Sequence, residues 1–275
     1  MSDCKADGVA LSTRPQFFSL HTGLSPIIAT AIHDGHFVDA CVADFIALDD
    51  LTRHREEDPY TSFMIGAVPN RLVSHRSRFA LDLNRARDKA VYLTPDECWG
   101  LSVWNRYLPA SIVADLRVAH DEYYLVLQAA LQGLVRRYDR FVVLDVHSYN
   151  HRRDGPEAPA SAAQSAPDIN IGTYSMDRKK WAHVVDPFMD ALRSRRVLGR
   201  FLDVRENIAF EGRGEQTRFI HTAFPDAGCA IAVEFKKFFM DEWTGEPDHA
   251  CLLDLRQLIS ESVPVLEAAL AERSL

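Results

Sequence analysis

The sequence contains no long hydrophobic run. Its longest apolar segments, among them Phe141–Val146 and Cys229–Val233, have the length of a strand, whereas a membrane-spanning helix needs about 20 apolar residues. The first seven residues also lack the basic segment and the apolar stretch of a signal peptide. These absences predict a cytoplasmic protein without a membrane partner.

Cysteine pairs and basic tracts are missing as well. None of the five cysteines stands in a C-x-x-C pair, which argues against a zinc site built from thiolates and predicts reduced, mostly structural thiols. The net charge is −8 and acidic residues flank the short arginine clusters, so nucleic acid is not the expected partner. Metal chemistry in this chain would therefore have to use histidine and carboxylate side chains.

The 275 residues have an ordinary globular composition, 47% hydrophobic and 25% charged. Strand-like and helix-like segments alternate, and similar strands lie on both sides of an Ala/Ser/Pro-rich stretch. This pattern predicts one α/β domain spanning 1–275, with a mixed, largely parallel sheet flanked by helices. The predicted strands are 25–32, 77–83, 141–146 and 229–235, and the predicted helices are 38–51, 109–138, 177–198 and 250–270. We expect an N-terminal arm or edge strand at 1–22 and a mobile loop at 150–167.

Polar clusters follow the predicted strands. In an open α/β sheet, ligands bind outside the carboxyl ends of the strands, so residues at these positions are candidates for a functional site. The clusters are His33-Asp-Gly-His36, Asp82-Leu-Asn-Arg85, Asp145-Val-His147-Ser-Tyr149 and the single residue Glu234.

The histidines in these clusters are candidate metal ligands. Asp145 would lie on the same side of its strand as His147 and could hold the imidazole ring, although a buried structural histidine explains the same pattern equally well. A catalytic zinc needs about three protein ligands and an open position, and His33 with His147 supplies two. The third ligand stays open, since the chemically suitable residues are His36, Glu56, Glu57 and Asp58.

Two further clusters suggest other roles. Burial at the end of a strand would raise the pKa of Glu234, which suits a general base, whereas a salt bridge with Lys236 or Lys237 is the structural alternative. The planar guanidinium of Arg85 could grip a substrate carboxylate beside Asn84. The structural alternative here is a helix cap at Asn84 with solvated arginines.

The combined motifs resemble the N-formylglutamate amidohydrolase family. Ser77–Arg85 is similar to its Ser-Arg-Tyr-x-x-Asp-Leu-Asn-Arg stretch, with Phe79 in the tyrosine place, and Leu144–Tyr149 and Glu234 follow in the family's order. His33-Asp-Gly resembles its early Pro-His-(Ser/Asp)-Gly, except that isoleucine precedes the histidine, and 168–173 resembles its Pro-Asp-Ile-x-x-Gly-Thr element. The matched segments run from about 26 to 235, and their order is more specific than any single motif.

The family is similar in turn to the zinc carboxypeptidases, which implies their fold (phosphorylase/hydrolase-like) and one Zn²⁺ per chain. The resemblance implies that His33 and His147 are ligands. The carboxypeptidases have a glutamate three residues after the first histidine, but position 36 is histidine in this chain. We therefore favour Asp58 as the third ligand, with Glu56, Glu57 and His36 still open.

The resemblance also implies a reaction. Glu234 would take the proton of a zinc-activated water, Arg78 would stabilise the oxyanion, and the expected reaction converts N-formyl-L-glutamate and water to glutamate and formate.

The alternatives are a carboxypeptidase-like peptidase or other N-acyl amino acid deacylase, and a non-catalytic ligand-binding protein. The expected partner is a small N-acyl amino acid, and the segments 150–156 and 211–218 are candidate lids. The candidate substrate-binding residues are Asn84, Arg85, Ser148, Tyr149 and Arg218.

Overall fold

A seven-stranded mixed sheet forms the centre of the protein, in a computed structural model that describes residues 17–272. The strands along the chain are β1 Phe18–His21, β2 Ile27–Ala31, β3 Asn70–Ser74, β4 Phe141–Tyr149, β5 Ile169–Gly172, β6 Arg196–Val197, β7 Arg200–Phe201, β8 Val204–Glu206 and β9 Gly228–Lys236. Their order in the sheet is β1-β3-β2-β4-β9-β5-β8, and β6 pairs with β7 separately. The four strands β3, β2, β4 and β9 are parallel to one another, whereas β1 and β5 run antiparallel to their inner neighbours.

Helices cover both faces of this sheet. They are α1 Ala40–Ala43, α2 Asp50–Glu56, α3 Thr61–Met64, α4 Ala110–Tyr138, α5 Ala182–Ser194, α6 Glu215–Ala223 and α7 His249–Ala271. Alternate side chains of β4 enter two separate cores: Val142 and Leu144 pack in the core with α5 and α7, whereas Val143 packs in the core with α4. Because both faces are covered, the central strands are continuously apolar. The predicted α/β architecture is confirmed.

The long helix α4 was the clearest prediction, and it lies at Ala110–Tyr138. Its buried residues, including Leu116, Tyr123, Leu127 and Leu131, recur at helical spacing and face the sheet. None of the helices among residues 17–272 is long and apolar enough to cross a membrane.

The predicted strand at 77–83 is wrong. The backbone N–H groups of Ala80 and Leu81 both donate to the carbonyl of Ser77, so the segment begins as a turn. Phe79, Leu81 and Leu83 are buried there, and this alternation of apolar residues imitates a strand. The strand of this region is β3, which ends three residues before the turn and which the sequence did not predict.

Several predicted bounds also need correction. The predicted helix at 38–51 is two short helices, because Asp49 caps a new helix by accepting from the backbone of Thr52. The predicted helix at 177–198 is confined to α5, and its last residues form the strand β6. Of the predicted arm, residues 1–16 lie outside the described residues and β1 is an edge strand. Residues 150–167 carry no helix or strand, and their mobility stays a prediction.

Candidate active site

The carboxyl ends of three parallel strands bring the main candidates together. The register of β4 and β9 sets His147 directly beside Glu234, and His33 lies two residues beyond the end of β2. These side chains and Asp58 line a cavity of about 160 Å³. The site therefore lies at the edge of the sheet where an α/β fold normally binds its ligand.

Three buried side chains converge at the floor of this cavity. Asp58 Oδ2 lies 2.9 Å from His147 Nδ1 and 3.3 Å from His33 Nδ1. One possible ligand atom from each residue falls within 4.8 Å of the other two. Asp58 reaches this position because its backbone N–H donates to the carbonyl of His33, which ties the end of α2 to the end of β2.

A second carboxylate stands behind each imidazole. His33 Nε2 lies 2.8 Å from Asp82 Oδ1, and His147 Nε2 lies 3.2 Å from Asp145 Oδ1. Each ring therefore has a carboxylate at both nitrogens, whereas a neutral imidazole carries only one proton. The arrangement calls for extra positive charge, either a second proton on a ring or a metal cation between the rings and Asp58.

The pKa shifts of the buried groups are consistent with this need for positive charge. Burial alone would lower the pKa of His147, but the carboxylates of Asp145 and Asp58 raise it well above its ordinary value. Burial would raise the pKa of Asp58, yet the two histidines hold it well below its usual range. His33 Nδ1 is buried and makes no hydrogen bond of good geometry among residues 17–272, although Asp58 Oδ2 lies 3.3 Å away. A buried nitrogen of this kind, with its opposite ring atom fixed by a carboxylate, fits a metal ligand.

The two outer carboxylates are themselves held in place. Asp82 accepts hydrogen bonds from the Arg78 guanidinium at 3.0 Å, the Asn84 backbone N–H at 2.8 Å and the Tyr92 hydroxyl. Burial would raise the pKa of Asp82, but His33 and Arg78 keep it well below its ordinary value. Asp82 thus remains charged and orients the ring of His33 in front of it.

Asp145 has its own partners across the sheet. Thr30 on β2 donates to Asp145 Oδ1 at 3.0 Å, and Gln216 on α6 donates to the same oxygen at 2.6 Å. Gln216 also donates to Thr30 and accepts from the hydroxyl of Tyr123. Sequence reasoning did not find Gln216, because no local pattern shows that α6 packs over the end of β4.

Glu234 is half-buried in the same cavity. Burial raises its pKa to about 7; His147 opposes this increase, while the nearby Asp58 and Asp145 carboxylates add to it. The predicted alternative, a salt bridge with a neighbouring lysine, is not observed in the described structure: Lys236 pairs with Asp168 at 2.9 Å, and Lys237 donates to backbone carbonyls. A carboxyl group with a pKa near neutrality suits proton transfer.

Four other predicted residues also line the cavity: Arg78, Asn84, Ser148 and Tyr149. Asn84 Oδ1 is buried without a hydrogen-bond partner among the described residues. The Ser148 hydroxyl lies 3.5 Å from Asp58 Oδ1, and the Tyr149 hydroxyl donates to the carbonyl of Pro167. The Arg78 guanidinium lies 4.9 Å from the centre of the Trp99 ring.

Three predicted residues lie elsewhere. Arg85 stacks on the Tyr92 ring at 5.4 Å and donates to the carbonyl of Glu97, outside the residues that line the cavity. Arg218 is exposed and pairs with Glu215 on α6. His36 is half-exposed and does not join the group formed by His33 and His147.

The candidates for the third metal ligand differ in where their carboxylates point. Asp58 faces both histidines, whereas Glu57 turns the other way, toward His36 and Ser77. Glu56 lines the cavity, but its carboxylate pairs with Arg55 at 3.1 Å.

Two cations in the cavity were not assigned a role from the sequence. Lys237 is buried, and burial lowers its pKa to about 8 although Asp58 and Glu56 oppose this shift. Strand alternation does not predict this position, since Lys237 follows Glu234 by three residues and lies just beyond the end of β9. Arg153 comes from the loop after β4 and lies 3.7 Å from Glu56.

A larger cleft of about 490 Å³ adjoins the cavity, and residues such as Asn84 and Glu234 line both. Its wall is the segment 207–214, which is fastened to β5. The Asn170 side chain donates to the carbonyl of Phe210 and accepts from the backbone of Ile208 and Ala209. Gly172 and Gly212 touch so closely that a Cβ on Gly172 would lie 2.6 Å from the nitrogen of Gly212.

Comparisons with known proteins find a matching family and solved structures of similar fold. The family described as N-formylglutamate amidohydrolase matches residues 25–240. The fold is similar to a crystal structure of N-formylglutamate amidohydrolase from Ralstonia eutropha JMP134, with a TM-score of 0.72 and 17% identity over 92% of this chain and 96% of that chain. A gene product from Agrobacterium tumefaciens gives a TM-score of 0.59 and 14% identity over the same shares, 92% and 96%. No curated protein matches the chain. Because the family match covers most of the sequence, the chain belongs to the N-formylglutamate amidohydrolase family.

Proposed function

We propose that this protein is a zinc-dependent amidohydrolase that removes the formyl group from N-formyl-L-glutamate. One observation carries the proposal: the Nδ1 atoms of two buried histidines, His33 and His147, face the carboxylate of Asp58, and a separate carboxylate stands behind each ring. Membership of an amidohydrolase family supports the reaction class.

Zinc would be held by His33, Asp58 and His147. Two imidazoles and one carboxylate are a ligand set of catalytic zinc sites, which keep a further position open. When bound, the ion supplies a Lewis acid that polarises a carbonyl group and acidifies a water molecule. Asp82 and Asp145 keep the two rings oriented toward this position.

Glu234 moves the proton in this proposal. Its carboxylate accepts a proton from the attacking water and returns it to the nitrogen of the leaving amine. A pKa near 7 allows it to be a base in the first step and an acid in the second. Arg78 lines the cavity, where its guanidinium pairs with Asp82 at 3.0 Å, and it supplies positive charge for the oxygen of the scissile carbonyl.

The cavity contains three cations beside its carboxylates, and these cations suit an anionic substrate. Lys237 and Arg153 line it together with Arg78, and N-formyl-L-glutamate carries two carboxylates. We assign the carboxylate-binding role to Lys237 and Arg153 with the amide of Asn84, in preference to Arg85 and Arg218, which do not line the cavity. Arginine and lysine are the usual partners of carboxylates.

A second candidate follows from the adjoining cleft. Its volume of about 490 Å³ exceeds the needs of a formyl group and would accommodate a larger acyl group or a peptide. A deacylase of longer N-acyl amino acids is therefore the alternative within the same chemistry.

The test combines metal analysis with a substrate panel. We expect about one tightly bound zinc per chain, release of formate from N-formyl-L-glutamate, loss of activity with a chelator and its return with Zn²⁺. Faster hydrolysis of N-acetyl or longer N-acyl amino acids would favour the second candidate. A protein that binds no metal and hydrolyses none of these compounds would contradict both and favour a ligand-binding role.

A further inference from the structure

A second cluster of metal-binding side chains lies beside the proposed active site. It consists of His36, His54 and Glu57, and one possible ligand atom from each lies within 4.8 Å of the others. His36 belongs to the loop after β2. His54 and Glu57 stand three residues apart at the end of α2, a spacing that puts two side chains on one face of a helix.

The geometry of the cluster is compact. His36 Nδ1 lies 2.5 Å from Glu57 Oε2, and the rings of His36 and His54 meet edge to face at 5.8 Å. The Tyr60 ring packs against His54 at 6.1 Å, and Gly245 lies beside the Cδ2–Nε2 edge of the His54 ring. Glu57 is buried, whereas the His36 side chain is 40% exposed. The cluster is thus preformed on its inner side and open to solvent at His36.

The cluster is separate from the proposed active site although Glu57 and Asp58 are adjacent in the chain. Asp58 points to His33 and His147, and Glu57 points in the other direction to His36. Two metal ions could therefore bind without sharing a ligand.

Local charge allows a cation here but weakens its binding. Arg53 lies 3.9 Å from Glu57 Oε1 and 3.1 Å from His36 Nε2, so one positive charge is already close. Asp50 lies 2.6 Å from the same guanidinium and 3.9 Å from His36. These two carboxylates are offset by the guanidinium and by Lys237, whose charge acts on His54, so an ion here would bind weakly. His36 Nδ1 is hydrogen-bonded to Glu57, and a metal ion would take the place of the proton between these two side chains.

We propose that His36, His54 and Glu57 form a second, weaker and exchangeable binding site for Zn²⁺. Two imidazoles and a carboxylate form a ligand set that suits zinc. Among the common divalent cations, zinc is therefore the one we expect to bind here. The half-exposed His36 gives the ion a route to solvent. The site goes beyond the proposed hydrolysis, which does not require it.

Metal stoichiometry tests this site directly. Protein stripped with a chelator is dialysed against increasing free Zn²⁺, and bound zinc is measured by mass spectrometry of the metal. We expect wild type to bind two equivalents, one tight and one weaker. His36→Ala and His54→Ala should each lose the weaker equivalent of zinc or bind it with a higher dissociation constant. Because each variant removes a ligand, this increase should exceed the roughly 10- to 100-fold that follows the loss of a side chain that only orients a ligand. His249→Ala, which removes an exposed histidine elsewhere, should keep both.

Every outcome bears on the proposal. Saturation of wild type at one equivalent that His147→Ala removes would overturn it, as would retention of the weaker equivalent in both His36→Ala and His54→Ala. Equal loss in His249→Ala would show nonspecific binding to surface histidines. A single equivalent that survives His147→Ala but disappears in His54→Ala would support this site and contradict the proposed active-site zinc. Circular dichroism checks that each variant is folded.

Discussion

At the scale of single residues, the cavity is defined by an excess of carboxylates around two imidazoles. Asp58, Asp82 and Asp145 all approach His33 or His147 within 3.3 Å. Such a group of buried anions is unfavourable unless positive charge compensates it. A zinc ion would supply two positive charges at the point where the Nδ1 atoms meet.

Glu234→Gln removes the proposed base and keeps the shape of the side chain. We expect zinc content to stay at the wild-type level while turnover of N-formyl-L-glutamate falls about 10²–10⁴-fold, the usual contribution of general acid–base catalysis. The measurement is turnover rate together with metal content. Glu272→Gln, at an exposed position, is the control, and unchanged turnover in Glu234→Gln would remove Glu234 from this role.

The raised pKa of Glu234 predicts a pH dependence. The proposed base must be deprotonated to accept a proton, and its pKa lies at about 7. On the acidic side, kcat/KM should therefore increase with pH and level off above about 7. The residual rate of Glu234→Gln should lack this increase. An acidic limb of the same position in the variant would assign the titration to another group.

Asp82→Asn tests the carboxylate behind His33. The amide can still accept a hydrogen bond but carries no charge, so the imidazole becomes a weaker ligand. We expect zinc affinity to fall about 10- to 100-fold, measured by competition with a chelator of known affinity. Asp96→Asn, at an exposed position, should bind zinc like wild type. Wild-type affinity in Asp82→Asn would mean that Asp82 serves the fold and not the metal.

At the scale of elements, sequence periodicity located the strands that deliver the site but not every side chain within it. The apolar runs of β4 and β9 marked His147 and Glu234 because each polar residue follows an apolar run, although β4 continues to Tyr149 and β9 to Lys236. The strand predicted at 77–83 failed because a buried turn can be as apolar as a strand. The direction of the Arg85 side chain could not be predicted either, because it depends on this turn and on the stacking with Tyr92.

Long-range packing explains the residues that sequence reasoning did not find. Gln216 reaches Asp145 from a helix 71 positions away in the chain. Lys237 is fixed by carbonyls of Arg55 and Glu57, about 180 residues earlier. No local pattern specifies such partners, so their roles require the folded chain.

The loop 150–167 is attached at its start by one buried carboxylate. Glu242 accepts from the backbone N–H of His151 at 2.7 Å and of Arg152 at 3.1 Å, and the Trp243 indole donates to the carbonyl of Arg152 at 3.0 Å. The neighbouring Arg153 lines the cavity. Glu242 thus positions a proposed substrate-binding residue from the far side of the loop.

Glu242→Ala should release this loop. We expect a loss of roughly 1–3 kcal/mol in the free energy of unfolding, since buried donors lose their acceptor, with a higher KM and faster hydrogen exchange at 150–155. Denaturant unfolding and exchange mass spectrometry measure these changes. Glu246→Ala, nearby and exposed, is the control. Unchanged exchange in the loop would show that Trp243 alone holds it.

At the scale of the whole molecule, the site joins segments that are distant in the chain. The proposed zinc ligands come from residues after β2, after α2 and on β4, so they meet only when the sheet has formed. A ligand that binds only the folded state stabilises it by mass action.

Zinc should therefore raise the stability of the folded protein. With free Zn²⁺ at 100 times its dissociation constant, the expected gain is about 2.7 kcal/mol, seen as a higher melting temperature than that of chelator-treated protein. His147→Ala should lose most of this gain. Identical melting of wild type with and without zinc would contradict a metal site formed by folding.

The fastening of the segment 207–214 to β5 bears on how substrate and product exchange. Asn170 and the close backbone contact of Gly172 with Gly212 join that wall to the sheet, so an outward movement would break these contacts. Residues 150–167 form no strand or helix of their own, but Glu242 holds their start, and Lys236 and Arg205 bind carbonyls near their end. We therefore expect the cavity to open at the stretch between these two attachments, and the rate of product release to depend on that stretch.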